Sequence, residues 1–264
     1  MKYLDLHAHV LKYTYKDNYE KVIDDISNYD GAKIVNIALD YETSVEAVNL
    51  AKKYPHIYKV AIGVHPTSDL STIDSDIPKL KKLYLENKEL IIAIGETGFN
   101  EFEEDDIEYQ RHAFMKQIEL AQELELPLII HSRNADEEVY NVFKDIKNLP
   151  TTILHSWTGG IEWTKKLLDL GLYISYTGII TFKNAEDVRE NMYITPLDKV
   201  FYETDCPWLS PVPYRGKTNI PEYSIYVAKT IATHHNIDIE EFNKVVSDNF
   251  EKVFKNSKWL NESK

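Results

Sequence analysis

The sequence has very little cysteine: Cys206 is the one cysteine among 264 residues. A single thiol excludes a disulfide framework and a zinc cluster held by several thiolates. The first ten residues carry an acid and two histidines and lack the apolar region of a signal peptide. We therefore expect a protein of a reducing compartment, located in the cytoplasm.

Long hydrophobic runs and an excess of positive charge are also missing. No apolar run approaches the ~20 residues of a membrane span, so we expect no membrane partner. The 30 Lys and Arg against 43 Asp and Glu give a net charge of −13. This balance argues against a broad basic surface for coating nucleic acid. It leaves room for a local cationic cleft, or for metal ions that supply positive charge.

Linkers, repeats and low-complexity segments are absent as well, so residues 1–264 are predicted to form a single domain. Eight short apolar runs alternate with longer segments of helical period. The predicted strands are Tyr3–Leu6, Lys33–Ala38, Tyr58–Val64, Leu90–Ile94, Pro127–Ile130, Thr151–Leu154, Leu172–Tyr176 and Val200–Tyr202. A long helix is predicted over Asp105–Leu124, and two or three helices from Tyr223 onward.

Eight strand–helix units in about 250 residues predict an α/β protein, a closed (β/α)8 TIM barrel. The alternative is an open doubly wound sheet, which usually carries a glycine-rich phosphate loop after its first strand. Here the first strand runs into Asp5-Leu-His-Ala-His9, a pattern typical of a metal site. Two imidazoles two residues apart on a strand share one face and can hold one divalent ion.

Polar residues follow several other predicted strands at their carboxyl ends, which converge on one face of a barrel. Together with the first pair they form a set of candidate metal ligands: His7, His9, Glu96, His131, His155 and Asp205. The nitrogen and oxygen donors suit zinc, manganese or similar ions. Because the set is too large for one tetrahedral ion, we expect two divalent ions, with Glu96 as the bridging carboxylate.

For other polar residues near these candidate ligands, the sequence fits more than one role. His65 is either a substrate contact or an acid–base group, or it is held by its loop. Arg133 offers a planar fork to a phosphate oxygen, with a salt bridge as the alternative. Glu203 is placed to accept a hydrogen bond from a metal-bound histidine, or is an ordinary acid at a strand end. Cys206 lies beside Asp205, but without a dedicated histidine partner we expect a buried thiol and no nucleophile.

With these motifs assembled, the chain resembles the TatD family of metal-dependent deoxyribonucleases, within the amidohydrolase-like TIM barrels, from Asp5 to about Phe254. The matching motifs are Asp5-Leu-His-Ala-His9, Gly63-Val-His-Pro66, Ala93-Ile-Gly-Glu-Thr-Gly98, Leu126-Pro-Leu-Ile-Ile-His-Ser-Arg133, His155-Ser-Trp-Thr-Gly159 and Glu203-Thr-Asp-Cys-Pro207. Several ordered motifs at family spacing are far more specific than any one of them.

The resemblance implies hydrolysis of phosphodiester bonds, 3′→5′ on single-stranded DNA (RNA being a further possibility), by a metal-bound hydroxide, with magnesium typical. It places His7, His9, Glu96 and Asp205 at one metal, and Glu96, His131 and His155 at the other. It assigns to Asp205 the orientation or deprotonation of the attacking water, and to His65 and Arg133 contacts with phosphate. No obligate protein partner is expected.

The sequence departs from the family pattern at a few positions. Asn100 stands where the family usually has aspartate, Trp157 where Phe is common, and Cys206 where Ala is common. Thr67-Ser68 replaces a frequent histidine or acid. No departure removes a candidate ligand, so they bear on substrate more than on hydrolysis. A binuclear hydrolase of amides, lactones or phosphotriesters is the alternative enzyme, and a non-catalytic binding barrel is the alternative outside enzymes.

Overall fold

The computed structural model describes residues 3–29, 31–101, 106–255 and 257–262. The eight β-strands are β1 Tyr3–Ala8, β2 Ala32–Ile37, β3 Tyr58–Ile62, β4 Ile91–Asn100, β5 Leu128–Arg133, β6 Thr152–Leu154, β7 Tyr173–Tyr176 and β8 Val200–Tyr202. All pairs along the sheet are parallel, in the order β1 to β8. All eight predicted strands are therefore present.

Residues just beyond β8 bring the two edges of the sheet together. The Asp205 amide donates to the His7 carbonyl oxygen at 2.9 Å, and the His9 amide donates to the Cys206 carbonyl oxygen at 3.0 Å. These bonds bring the first and last strands into contact, as a barrel requires. The prediction of a TIM barrel is confirmed, and the open doubly wound alternative is wrong.

Helices follow the strands and surround the sheet. They are α1 Lys12–Tyr15, α2 Tyr19–Ser27, α3 Tyr41–Lys53, α4 Ile73–Glu86, α5 Ile107–Leu124, α6 Asp136–Phe143, α7 Ile161–Asp169, α8 Glu186–Ile194, α9 Ser224–His234, α10 Ile239–Phe254 and α11 Ser257–Asn261. The predicted start of α5 at Asp105 lies outside the described residues. Asp106 caps this helix, accepting from the Tyr109 amide at 3.1 Å. No described helix is long and apolar enough to cross a membrane.

Three strands extend further at their carboxyl ends than their apolar runs predict, and the first of them, β1, continues to Ala8. Strand β4 continues to Asn100 and β5 to Arg133, where the two strands remain paired. Glycine makes this close approach possible: a Cβ on Gly98 would lie 2.1 Å from the His131 carbonyl oxygen, and Gly98 has a φ of +129°. Glu96 and His131 are therefore held in the strands rather than in the loops after them.

Candidate active site

The carboxyl ends of the strands bring the six predicted ligands into one cluster. His7 lies in β1 and His9 just after it, Glu96 is in β4, His131 in β5, and His155 and Asp205 follow β6 and β8. All are buried or half-buried. Strand alternation aims His7 inward, and the tight packing of β4 against β5 sets Glu96 beside the imidazoles.

The Glu96 carboxylate lies at the centre of the cluster and divides it. Its Oε2 atom is 3.2 Å from His7 Nε2 and 3.4 Å from His9 Nε2. Its Oε1 atom is 2.9 Å from both His131 Nδ1 and His155 Nε2. One oxygen thus faces each histidine pair, which is the arrangement of a carboxylate that bridges two ions.

Asp205 completes the half of the cluster that contains His7 and His9. Its Oδ1 atom lies 3.4 Å from His9 Nε2 and 3.8 Å from His7 Nε2. The residue has a φ of +55°, a backbone conformation that costs a non-glycine residue free energy. Buried Asp5 stabilises the turn, because it accepts from the amide and the hydroxyl of Thr204.

In three histidines, the ring nitrogen that points away from the carboxylates lies within hydrogen-bond distance of an acceptor oxygen outside the cluster. His9 Nδ1 lies 3.0 Å from the Ile37 carbonyl oxygen, and His155 Nδ1 lies 3.1 Å from Glu203 Oε1. His131 Nε2 lies 3.1 Å from Asn100 Oδ1. Each acceptor fixes the proton on the remote nitrogen, so the lone pair of a neutral imidazole points at the carboxylates.

Glu203 and Asn100 therefore support the ligands without joining the cluster. Glu203 is fully buried, and its Oε1 also accepts from the Ser156 amide at 2.7 Å. The interpretation of Glu203 as an acceptor for a ligand histidine agrees with this contact. Asn100 is anchored by Gln110, which bonds both its backbone amide and its carbonyl oxygen. The side-chain oxygen of Asn100 makes the contact with His131 that an aspartate at this position would make, but it carries no negative charge.

His65 is also brought into the cluster, with Nε2 3.5 Å from Glu96 Oε1. Its Nδ1 atom accepts from the Thr67 amide at 3.2 Å and contacts the Thr67 hydroxyl at 2.7 Å. The proton therefore resides on Nε2, which is the reverse of the three histidines above. His65 thus presents a donor to the site, whereas His9, His131 and His155 present lone pairs in their neutral form.

The carboxylates and imidazoles of the cluster shift one another's pKa values. Burial raises the pKa of Glu96, but the surrounding imidazoles of His155, His65 and His7 outweigh it and hold that pKa well below its usual value. Burial lowers the pKa of His9, yet its hydrogen bonds to Asp205 and Glu96 outweigh this and raise the pKa to about 9. For His131 burial dominates and lowers the pKa to about 4.

The donor atoms fit divalent metal ions. Ligands that share an ion at about 2.0–2.2 Å lie roughly 3–3.5 Å apart. His7 Nε2 and His9 Nε2 are 3.1 Å apart, and His131 Nδ1 and His155 Nε2 are 3.3 Å apart. Within the described part of the chain, Glu96 and Asp205 form ion pairs with histidines alone. Lone pairs aimed at buried carboxylates are stabilised by a cation between them.

The cluster forms the floor of an open cavity of about 650 Å³. Arg133, predicted to contact substrate, lines this cavity and is exposed at the end of β5. Cys206 behaves as predicted: it is fully buried, and burial raises the pKa of its thiol. The histidines outside the cluster, His56, His112, His234 and His235, do not line the cavity.

Sequence reasoning missed two aromatic residues at the rim of this cavity. Trp208 is 46% exposed, and its ring meets the His9 ring edge-on with centroids 5.4 Å apart. Tyr13 is 67% exposed. Trp208 lies three residues after Asp205 and Tyr13 four after His9, so short spacing from a predicted ligand was the signal that could have found them.

The fold and the cluster define a class: a TIM barrel with a candidate metal centre at the carboxyl ends of its strands. A metal-dependent hydrolase of Mycoplasma genitalium is 35% identical over 96% of this chain and 99% of its own length. The metal-dependent hydrolase YabD of Bacillus subtilis is 34% identical over 95% and 98%.

A family model described as TatD related DNase matches residues 4–255. The crystal structure of a TatD homologue from Escherichia coli superposes with a TM-score of 0.87 at 24% identity, covering 96% of this chain and 98% of that one. The chain belongs to the TatD family of metal-dependent hydrolases, and the resemblance inferred from the motifs is confirmed.

Proposed function

We propose that this protein is a divalent-metal-dependent deoxyribonuclease that removes nucleotides from the 3′ end of single-stranded DNA. The family model's description as a DNase supports the phosphodiester substrate. The 3′→5′ direction of degradation and the preference for single-stranded DNA come from the family resemblance. We further propose two ions per chain, of magnesium, manganese or zinc, and a cytoplasmic location.

One observation carries the proposal: the two oxygens of Glu96 face two separate histidine pairs, whose ring nitrogens lie 2.9 to 3.4 Å from it. Two adjacent divalent ions suit an in-line displacement at phosphorus, since they activate water and neutralise charge on the attacking and leaving oxygens. The residues proposed to hold them are His7, His9 and Asp205 on one side, His131 and His155 on the other, and Glu96 between.

The protein's own residues then supply proton transfer and substrate orientation. Asp205 is proposed to take the proton from the attacking water, because its Oδ1 already faces His7 and His9 and it lines the open cavity. Arg133 is proposed to pair with a phosphate oxygen. His65 presents Nε2–H to the same space and is proposed to donate to another phosphate oxygen rather than to bind metal.

The need for a strand end follows from the depth of the cluster. Four of its six proposed ligands are buried and His131 and Asp205 are partly buried, and the cluster lies at the base of a cavity. A terminal phosphodiester can enter such a cavity directly, whereas an interior bond of a stiff duplex must first be unstacked and bent. The acidic net charge gives no broad patch for gripping a duplex.

A 5′-labelled single-stranded oligonucleotide tests the proposal, incubated with magnesium, manganese or zinc and analysed for product length. A descending ladder that a chelator abolishes is the expected result. RNA of the same sequence measures sugar preference, and a covalently closed single-stranded circle tests the need for an end. Rapid cutting of the circle would contradict exonuclease action. No cleavage with any metal would favour the amide, lactone or phosphotriester hydrolase alternative.

A further inference from the structure

The walls of the cavity differ in chemistry. One wall follows β3 to β5 and carries the polar side chains His65, Asn100 and Arg133. The opposite wall follows β8 and β1 and carries the aromatic side chains of Trp208 and Tyr13. A phosphate bound above Glu96 would therefore have a cationic neighbour on one side and aromatic rings on the other.

Trp208 is unusual because a large apolar ring is left half in solvent beside buried ionisable groups. Its neighbour in the site is His9, against which the indole packs edge-on at 66°. Buried tryptophans of this chain, Trp157 and Trp259, are at most 1% exposed, whereas Trp208 is 46% exposed. An exposed aromatic face in a cavity is a binding surface for another flat apolar group.

The backbone around Trp208 is held rigidly relative to Asp205. The Trp208 amide donates to the Asp205 carbonyl oxygen at 3.1 Å. The Trp208 carbonyl oxygen accepts from the side chain of fully buried Asn219, which also bonds the Thr204 carbonyl oxygen at 3.0 Å. The backbone that carries the indole is therefore fixed before substrate binds, and the ring itself packs on His9, so less conformational entropy is lost when a base stacks on it.

We propose that Trp208 is a substrate-binding residue on which a nucleobase next to the scissile phosphate stacks. The inference rests on the proposed nuclease function and extends it, since it names the part of the nucleotide that this wall recognises. A base of any identity has a flat π face, so the contact selects nucleic acid over small esters without reading sequence. Tyr13, on the same wall, is proposed to make a weaker second contact.

A fluorescence titration tests stacking without requiring turnover. Unlabelled single-stranded oligonucleotide is titrated into the full protein with calcium as the divalent ion, and tryptophan emission is recorded. We expect quenching in the wild type and none in Trp208→Phe, because the remaining tryptophans are buried or lie outside the cavity. Quenching that persists in Trp208→Phe would contradict the proposal.

Kinetics on paired substrates separates stacking from a structural role. Trp208→Ala should raise KM for the oligonucleotide about 5- to 150-fold, corresponding to the ~1–3 kcal/mol of one base stack, while Trp208→Phe should restore most of it. On an oligonucleotide with abasic terminal residues the wild type and Trp208→Ala should match. The control is Tyr193→Ala, which removes a ring 52% exposed and outside the cavity.

The outcomes separate a failure of the proposed nuclease function from a failure of the proposed stacking contact on Trp208. Wild-type protein that cleaves no DNA with any metal would overturn the nuclease function itself. Wild-type protein that cleaves DNA while Trp208→Ala keeps the wild-type KM would overturn only the stacking contact. A loss in Trp208→Ala that is equal on normal and abasic substrates would show that the indole supports His9 and does not bind a base.

Discussion

The two ends of the barrel bury polar groups in opposite ways. At the carboxyl end, carboxylates and imidazoles face one another beneath an open cavity. At the amino end, Lys33 and Lys59 are buried beside Trp259 of α11, and each ammonium group donates to backbone carbonyl oxygens. The lysine ammonium groups find backbone acceptors within the fold, although burial lowers the pKa of both, whereas the carboxyl-end cluster offers donor atoms that could hold a cation. Buried polar groups are therefore paired by the fold at one end and are proposed to serve chemistry at the other.

A cavity near the amino end sharpens this contrast. It has a volume of about 670 Å³, similar to that of the site, and is bordered by Lys88, Lys147 and Lys255. Its lining holds neither a histidine nor a pair of carboxylates. Size alone therefore does not mark the functional end of the barrel, whereas the convergence of donor atoms does.

The largest expected effect is at the carboxyl end. Asp205→Asn should lower turnover about 1,000-fold or more, because the amide cannot accept the proton or carry the ligand charge, while unfolding changes little. Hydrolysis rates and thermal unfolding of the same preparation measure both. Asp198→Asn, which alters an exposed acid outside the cavity, is the matched control. Near-wild-type turnover would rule out the proposed role of Asp205.

At the amino end, Trp259→Ala should lower the free energy of unfolding by about 3–5 kcal/mol. Its indole is fully buried, packs on Phe250 with ring centroids 5.6 Å apart, and covers both lysines. Denaturant unfolding measures this loss, and Trp259→Phe should recover part of it. The folded fraction should keep wild-type metal content. A fall in metal content per folded molecule would show that the two ends are coupled.

Glu203→Gln should weaken metal binding about 10- to 100-fold. Glutamine keeps the size of the side chain and can still accept from His155 Nδ1 and the Ser156 amide, but the negative charge behind the imidazole is lost. Metal titration in a competing chelator measures the change. Glu162→Gln, at an exposed position of α7, controls for the charge. An unchanged affinity would mean that Glu203 serves only the fold.

Cys206→Ala should have the smallest effect. The thiol is buried, and deleting one sulfur atom should cost about 1 kcal/mol of unfolding free energy while most activity remains. Activity per folded molecule and denaturant unfolding are the measurements. A well-folded Cys206→Ala protein without activity would restore the thiol as a nucleophile.

The sequence predicted the barrel and the residues that cluster at its carboxyl end, because both have a local signature. Alternating apolar runs indicate parallel strands, and polar residues at their carboxyl ends converge in this fold. It could not predict that β4 continues to Asn100, since Gly95 and Gly98 interrupt the apolar pattern where the two strands approach each other. Which ring nitrogen each histidine presents also depends on distant partners, such as Ile37 for His9.

The central claim is that Glu96 bridges two divalent ions, and counting the bound ions tests it most directly. Purified protein is dialysed against excess manganese or zinc, and the metal content per chain is measured for the wild type and for Glu96→Gln, with Glu203→Gln as a second buried-acid variant. We predict about two ions in the wild type, at most one in Glu96→Gln, and two at saturating metal in Glu203→Gln. One ion in the wild type, or equal content in the wild type and Glu96→Gln, would contradict the account.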